Sequence, residues 1–416
     1  MTATVAAPAP TAVARPAHRD PQVLRWLGAY TASTLGDSVY HLALSWAAVR
    51  GGTPAEAGLV MATSAVPRAL LMLGGGVVAD RFGPRRVVMA SDTVRCLIVL
   101  GVAALVLVTA PTLWTLAGVA LVFGIVDALF LPAVGALPPR IAPHDQLARV
   151  QGMRGLASRS GAVVGAPLGG LAVALGGPGA AFAVAGALFA LSLPLLLALR
   201  IRPLTGEAQK RRHGTASGDL VDGLRYLRGH RVLGPLMIVI ALSDLGFVGP
   251  LNVGLVLLAD QRGWGASGIG WVLAAFGVGA GGASLLLSVK GRVPRAGAVL
   301  GWTMTVGALS IGALAFVPRL PAAVGVALSI GLFAGLSGAL AGALVQTECD
   351  PAYLGRVSAV SSLMSLGLAP LSFPLTGAAI GLWGVGPVFT VSAAVCALAG
   401  VYGLASRGVR RAELPG

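Results

Sequence analysis

The sequence predicts an all-α membrane protein, with twelve transmembrane helices in two six-helix halves. Three observations predict it. Of the 416 residues, 56% are hydrophobic and 11% charged, against roughly 25% charged residues in a soluble globular chain. Continuous apolar stretches of about 20 residues, the length that crosses a hydrocarbon core of about 30 Å, recur twelve times. The lysines and arginines fall overwhelmingly on one side of the resulting map, as the positive-inside rule requires.

The stretches run 24–49, 57–79, 87–109, 112–136, 155–175, 178–199, 234–259, 268–289, 296–317, 321–346, 357–381 and 385–406. They are continuously apolar, not alternating, so each reads as a helix and not as a barrel strand. Some outer turns are short, such as Gly176-Gly177-Pro178. With the N-terminus placed in the cytoplasm, 24 of the 30 Lys and Arg residues lie in cytoplasmic tails and loops. Arg50, Arg262 and Arg319 lie outside, and Arg68, Arg95 and Arg159 lie within segments.

The net charge of +15 would suggest a nucleic-acid partner in a soluble protein. Here its placement points to the inner face of a lipid bilayer and to no nucleic acid. Cys96, Cys349 and Cys396 are far apart and read as packed thiols, with neither a disulfide framework nor zinc spacing. No metal or cofactor is expected. Residues 1–20 are rich in Ala, Pro and Thr and do not read as a cleavable signal peptide.

The chain therefore divides into a disordered cytoplasmic N-tail (1–22), a first half (23–200), a central cytoplasmic loop (201–233), a second half (234–406) and a cytoplasmic C-tail (407–416). Within the loop, the stretch Asp219–Arg228 has apolar residues at 220, 221, 224, 226 and 227. It reads equally as a short amphipathic surface helix or as a solvated linker. A short repeat supports the division. Leu147-Ala148-Arg149-Val150 follows the fourth segment, and Leu354-Gly355-Arg356-Val357 follows the tenth. Two repeats related by an axis along the membrane normal are a known transporter design.

After the second segment comes Gly76-Val77-Val78-Ala79-Asp80-Arg81-Phe82-Gly83-Pro84-Arg85-Arg86. It resembles the loop signature G-x-x-x-D-[RK]-x-G-[RK]-[RK] of the major facilitator superfamily. Gly76, Asp80, Arg81, Gly83 and Arg85 match in register, Pro84 replaces the first basic residue of the closing pair, and Arg86 follows one place late. The resemblance implies that Asp80 meets the start of the eleventh helix near Arg356, where a carboxylate favours the positive helix end. Such a contact would latch the halves on the cytoplasmic side. In the fifth segment, Gly161, Gly165, Pro167, Gly169 and Gly170 resemble the glycine-rich antiporter motif of the superfamily's drug exporters, with the proline one place late. Glycines of this kind allow close helix packing, which generic packing would equally explain.

Further phrases resemble the macrolide and siderophore exporter branch: Ser33-Thr34-Leu35-Gly36-Asp37, Leu42-Ala43-Leu44-Ser45-Trp46, Asp92-Thr93-Val94-Arg95 and Phe130-Leu131-Pro132-Ala133. The arginine motif of the fourth helix found in many proton antiporters is not evident.

Ionisable side chains at mid-bilayer cost roughly 2.5–3.5 kcal/mol or more and mark candidate sites. Asp37, Arg68, Asp127 and Asp244 lie well inside the first, second, fourth and seventh segments. The resemblance places the first, fourth, seventh and tenth helices around a central cavity, three of which carry one aspartate each. His41 lies one turn from Asp37, on the same face, and either relays a proton or is a packed core histidine. Asp37 is expected to carry coupled protons or to form an ion pair with Arg68, and both can hold, since an arginine keeps an aspartate ionised until substrate or protons compete. Asn252, the one asparagine in the chain, is a candidate hydrogen-bonding residue for a ligand.

These features imply a transporter, not an enzyme: H-E-x-x-H, G-x-S-x-G and Walker A patterns are absent from the sequence. The leading expectation is export of small amphiphilic molecules against protons, by a monomer in a bacterial inner membrane. An uptake permease of the same fold and a non-transporting scaffold are the alternatives.

Overall fold

The computed structural model describes residues 17–109, 111–142, 146–201, 216–290, 293–350 and 353–414. Among them, secondary structure is helical throughout. The long helices are α1 (Pro21–Gly51), α2 (Pro54–Phe82), α3 (Pro84–Val108) and α4 (Leu113–Gly135). A helix from Leu147 to Ser160 then passes through a π turn, Gly161–Gly165, into Ala166–Leu197. That last stretch breaks at Gly176 and Gly177, with φ +70° at Gly177. We call the part before the break α5 (147–175) and the part after it α6 (178–197). The expected turn is therefore a two-residue break, and Gly177 adopts a backbone that L side chains rarely reach.

The second set comprises α7 (Leu233–Gln261, with a π turn at Pro250–Gly254), α8 (Gly265–Lys290) and α9 (Ala296–Leu314). It continues with α10 (Leu320–Glu348), α11 (Leu354–Trp383) and α12 (Val385–Ala405). Nine helices among the described residues are long and apolar enough to cross a membrane, one of them being the broken 49-residue stretch. The helices α1 and α2, 31 and 29 residues long, carry Asp37, His41 and Arg68 near their middles.

Local chemistry sets the helix ends. Asp20 caps α1 by accepting from Gln22 N, and Thr53 with Glu56 forms a reciprocal capping box on α2. Proline opens α1, α2 and α3, where its missing N–H costs nothing. Gly83, the second glycine of the basic loop, has φ +85°. Arg85 Nε donates to Leu196 O at 2.9 Å and Arg25 to Ala198 O at 3.2 Å. Both cations thus sit at the carbonyl end of α6, where the helix dipole favours them.

The two Leu-x-Arg-Val phrases occupy matching places. Leu147 and Leu354 are each the first residue of a helix, and Val150 and Val357 are fully buried. The stretch Ala216–Gly229 is helical. It docks on the start of α11: Tyr226 stacks on Tyr353 with centroids 4.4 Å apart, and Asp222 pairs with Arg356 at 3.8 Å.

Within each set, α2 packs on α4, α1 and α3 on the α5–α6 stretch, α8 on α10, and α9 on α12. The sets meet along α2–α11 and α5–α8. Gly58 faces Phe373 and Pro374, Gly377 faces Pro54, and Gly170 and Gly270 face the backbone of the opposite helix at Ala266 and Ala166. Arg50, at the end of α1, pairs with Asp260, near the end of α7, at 3.1 Å. These contacts all lie towards one end of the bundle.

Close approach of this kind predicts a stability difference between glycines. A Cβ at Gly124 would collide with Ser64 O, whereas nothing lies within 4 Å of one at Gly118. Gly124→Ala should cost about 1–3 kcal/mol through overpacking, seen as a lower melting temperature of the purified protein. Gly118→Ala should leave it unchanged or raise it.

Candidate functional site

Arg95, in the first half of α3, is fully buried. Its position four residues before Val99 and three after Asp92 puts it on the inward face of α3, while Val94 and Leu97 face outward. Three carboxylates from three helices surround it. Asp127 of α4 pairs with its Nη2, and Asp92 and Asp37 each approach Nη1 at 3.5 Å. The rings of Phe130, Phe123 and Phe189 surround the guanidinium, with centroids 4.0, 5.2 and 5.7 Å away. An aromatic surround excludes water and strengthens every charge interaction inside it.

The three carboxylates are unequally satisfied. Asp92 Oδ2 accepts from Ser33 and Ser192 hydroxyls, at 2.6 and 2.5 Å. Asp127 takes Arg95 on one oxygen and Arg68 Nη1 on the other, at 3.3 Å. Asp37 Oδ1 accepts no hydrogen bond among the described residues, and its side chain is 26% exposed where those of Asp92 and Arg95 are 0%. Asp37 is therefore the loosest and most accessible acid of the cluster. Three carboxylates and two guanidiniums leave one negative charge when all are ionised, so a single proton makes the cluster neutral.

Arg68 pairs with Asp127 and not with Asp37, which differs from the ion pair considered from sequence. His41 Nδ1 contacts Asp37 O at 2.8 Å. A carbonyl only accepts, so this nitrogen carries the hydrogen and Nε2 is left for another partner. The His41 ring lies edge-on to Phe123, on which Tyr40 stacks with centroids 3.8 Å apart. The buried Tyr40 hydroxyl has no hydrogen-bond partner among the described residues.

Asp244 is elsewhere. It lines a cavity of about 730 Å³ enclosed chiefly by α7–α12, within the range of small-molecule sites. Ser365 donates to its Oδ2. Phe247, Phe276 and Phe333 supply aromatic walls, Thr303, Ser337 and Gln346 supply polar groups, and Arg159 enters from α5. The structure thus brings Asp37, His41, Arg68 and Asp127 together and puts Asp244 in a separate chamber. Asn252 lies in the π turn of α7, donates to Val248 O at 2.9 Å and is not part of the cavity wall.

Of the basic-loop residues, Gly76 and Asp80 belong to the last turns of α2, and Arg81 and Arg86 are exposed. The side chain of Asp80, and with it the contact expected near Arg356, lies outside the described residues. Gly161 and Gly165 form the ends of the π turn of α5 and lie against Thr34, Leu35 and Ser38 of α1. Pro167, Gly169 and Gly170 follow it, with Gly169 against Val39 and Gly170 and Pro167 at α8.

Sequence reasoning missed Arg95 and Asp92 as site residues. The available signal was their i,i+3 spacing within a segment, which puts an acid and a base on one helix face.

Removing the cation at the centre should be far costlier than removing the one at the rim. Arg95→Gln removes the cation shared by three carboxylates, two of them buried, and should destabilise by about 3–5 kcal/mol. Arg68→Gln should cost distinctly less, and thermal unfolding of the purified variants compares them.

The comparisons with known proteins agree with this architecture. The chain is 26% identical over 377 residues to the multidrug efflux pump Tap of Mycobacterium tuberculosis (strain ATCC 25618 / H37Rv), covering 82% of this chain and 83% of Tap. It is also 26% identical over 330 residues to the enterobactin exporter EntS of Escherichia coli O9:H4 (strain HS), covering 78% and 76%. Among solved structures, the nucleoside transporter NupG superposes with a TM-score of 0.69 at 16% identity, over 92% of this chain and 98% of that one. An inward-facing, occupied bacterial homologue of the human lysosomal transporter Spinster superposes with a TM-score of 0.71 at 15% identity, over 92% and 96%. The sequence profile of the Major Facilitator Superfamily matches residues 26–370, and this chain belongs to that superfamily, a multi-pass membrane transporter with the superfamily's helical fold.

Proposed function

We propose that the protein exports small amphiphilic molecules in exchange for protons, by alternating access between two six-helix halves. The observation that carries the proton part is Asp37: an acid open to its surroundings on one side, bound to a buried arginine on the other, in a cluster one proton short of neutrality. A buried net charge is costly, so a proton there and a changed arrangement of the helices are energetically linked. Export is supported by the drug and siderophore exporters among the relatives. The shared fold carries no direction, since nucleoside and POT family transporters have it too.

The membrane arrangement is read as twelve crossings. Dividing the 49-residue stretch at Gly176-Gly177 turns nine spans into ten, and α1 and α2 have ample length for two more. The halves are then residues 23–200 and 234–406. The arginine distribution supports an orientation with both termini in the cytoplasm of a bacterial cell. On that orientation, the Arg50–Asp260 pair and the α2–α11 and α5–α8 contacts close the outer side. The cavity beside Asp244 is the substrate chamber, and the protein acts as a monomer.

Efflux-deficient bacteria expressing the protein should accumulate less of an amphiphilic dye. A protonophore or Asp37→Asn should return accumulation to that of cells lacking the protein. An expressed, folded wild type that leaves accumulation unchanged for a broad dye panel contradicts multidrug export.

Exchanging the outer charges gives an independent check. Arg50→Asp should make a cysteine introduced at position 54 more reactive to a membrane-impermeant thiol reagent. In the charge swap Arg50→Asp with Asp260→Arg, the position 54 cysteine should regain its protection. Unaltered labelling in the single variant rules out a latch at this pair.

A further inference from the structure

Arg68, Arg95 and Arg159 lie within the apolar segments of their helices, and they are not alike. Arg95 and Arg68 both have carboxylate partners. Arg159, on α5, has none among the described residues. Its Nη1 donates to a neutral oxygen, the backbone carbonyl of Ala280 on α8, at 2.7 Å. A guanidinium has five N–H donors in a planar fork suited to a carboxylate. One of them is engaged, and by an oxygen that already accepts from Ser284.

Arg159 also lines the 730 Å³ cavity, and among the described residues it is the one from the first six helices that does so. The neighbouring wall is aromatic, with Phe247 and Phe276 centroids 5.7 Å apart, and Phe333 lines the same cavity. The one acid of the wall, Asp244, is held by Ser365 and forms no ion pair with Arg159. The position of Arg159 is fixed from behind. The π turn that starts two residues later is seated on α1, where a Cβ at Gly161 would lie 2.7 Å from Ser38 Oγ. Single π turns inside α-helices frequently accompany functional sites.

We propose that Arg159 is a substrate-recognition residue: it binds a carboxylate or similarly acidic oxygen of an otherwise apolar, aromatic substrate seated in this cavity. The anion takes the place of the Ala280 carbonyl and supplies the counter-charge that a cation at this depth needs. The aromatic walls take the body of the molecule, and Asp244 on the opposite set of helices disfavours a second acidic group. This assignment rests on the reading of the cavity as the substrate chamber and specifies the class of molecule that fills it. It also gives Arg159 a switching part, because its bond to α8 joins the two sets of helices and a bound anion takes the guanidinium from that bond.

The test is equilibrium binding of N-dansylphenylalanine and of its methyl ester to the full-length protein in lipid nanodiscs. The two probes differ in one charge. The wild type should bind the acid at least about tenfold more tightly than the ester, the scale of one charge-assisted hydrogen-bonded pair. Arg159→Gln should make the two affinities equal, and Arg159→Lys should keep part of the preference. Equal binding of acid and ester by the wild type, binding of neither, or an acid preference that survives Arg159→Gln overturns the proposal. Should Arg159→Gln fail to fold, the wild-type comparison decides alone. Binding at equilibrium requires neither a gradient nor a direction, so its outcome is separable from that of the efflux assay.

Discussion

A guanidinium with no exposed surface, on a helix long enough to cross the bilayer, requires counter-charge from its neighbours, and Arg95 takes it from three helices at once. Asp37 on α1, Asp92 on α3 and Asp127 on α4 converge on it, and Asp127 extends the network to Arg68 on α2. Ser192 on α6 completes the shell of Asp92. Five of the first six helices are thereby fixed by one polar centre inside an apolar bundle. Lipid offers no hydrophobic drive for helix association, so a buried network of this kind has more influence on the arrangement than it would in a soluble core. Close glycine contacts supply the rest of the packing.

The second six helices are organised around space instead of charge. Their chamber holds one acid, a few hydroxyls and several aromatic rings. The proposed function gives the two sets different tasks: a charge centre that responds to protons and a chamber that accepts a largely apolar molecule. Along α5 the two are physically continuous. Arg159 reaches the chamber, and the π turn just after it rests on the stretch of α1 that carries Asp37. A movement of α5 against α8 would be felt at both places.

Most of the fold was legible in the sequence because bilayer thickness and the cost of translocating arginines act locally, on segment length and loop charge. The expected segments match the observed helices to within a few residues at most ends, and helices extend past the apolar cores where capping residues such as Asp20 and Thr53 prolong them. The candidate site was legible in part. Asp37 and Asp127 stood out as charges inside apolar stretches, but their partners depend on which helices are neighbours, and periodicity does not contain that information. Arg95 and Asp92 were visible as one phrase near the start of a segment, without the depth that makes them central. Asp244 shared the pattern of Asp37 and Asp127, yet its helix opens on a different chamber. Asn252 has a donor that its own helix uses, a local competition that residue type alone does not reveal.

The central claim is that the Arg95 cluster binds one exchangeable proton and that Asp37 holds it. Infrared difference spectroscopy of the reconstituted protein across a pH titration observes protonated carboxyl groups directly. The account predicts one titrating carboxyl signal that disappears in Asp37→Asn and persists in Asp244→Asn. A signal unchanged in Asp37→Asn, or lost only in Asp244→Asn, would contradict it.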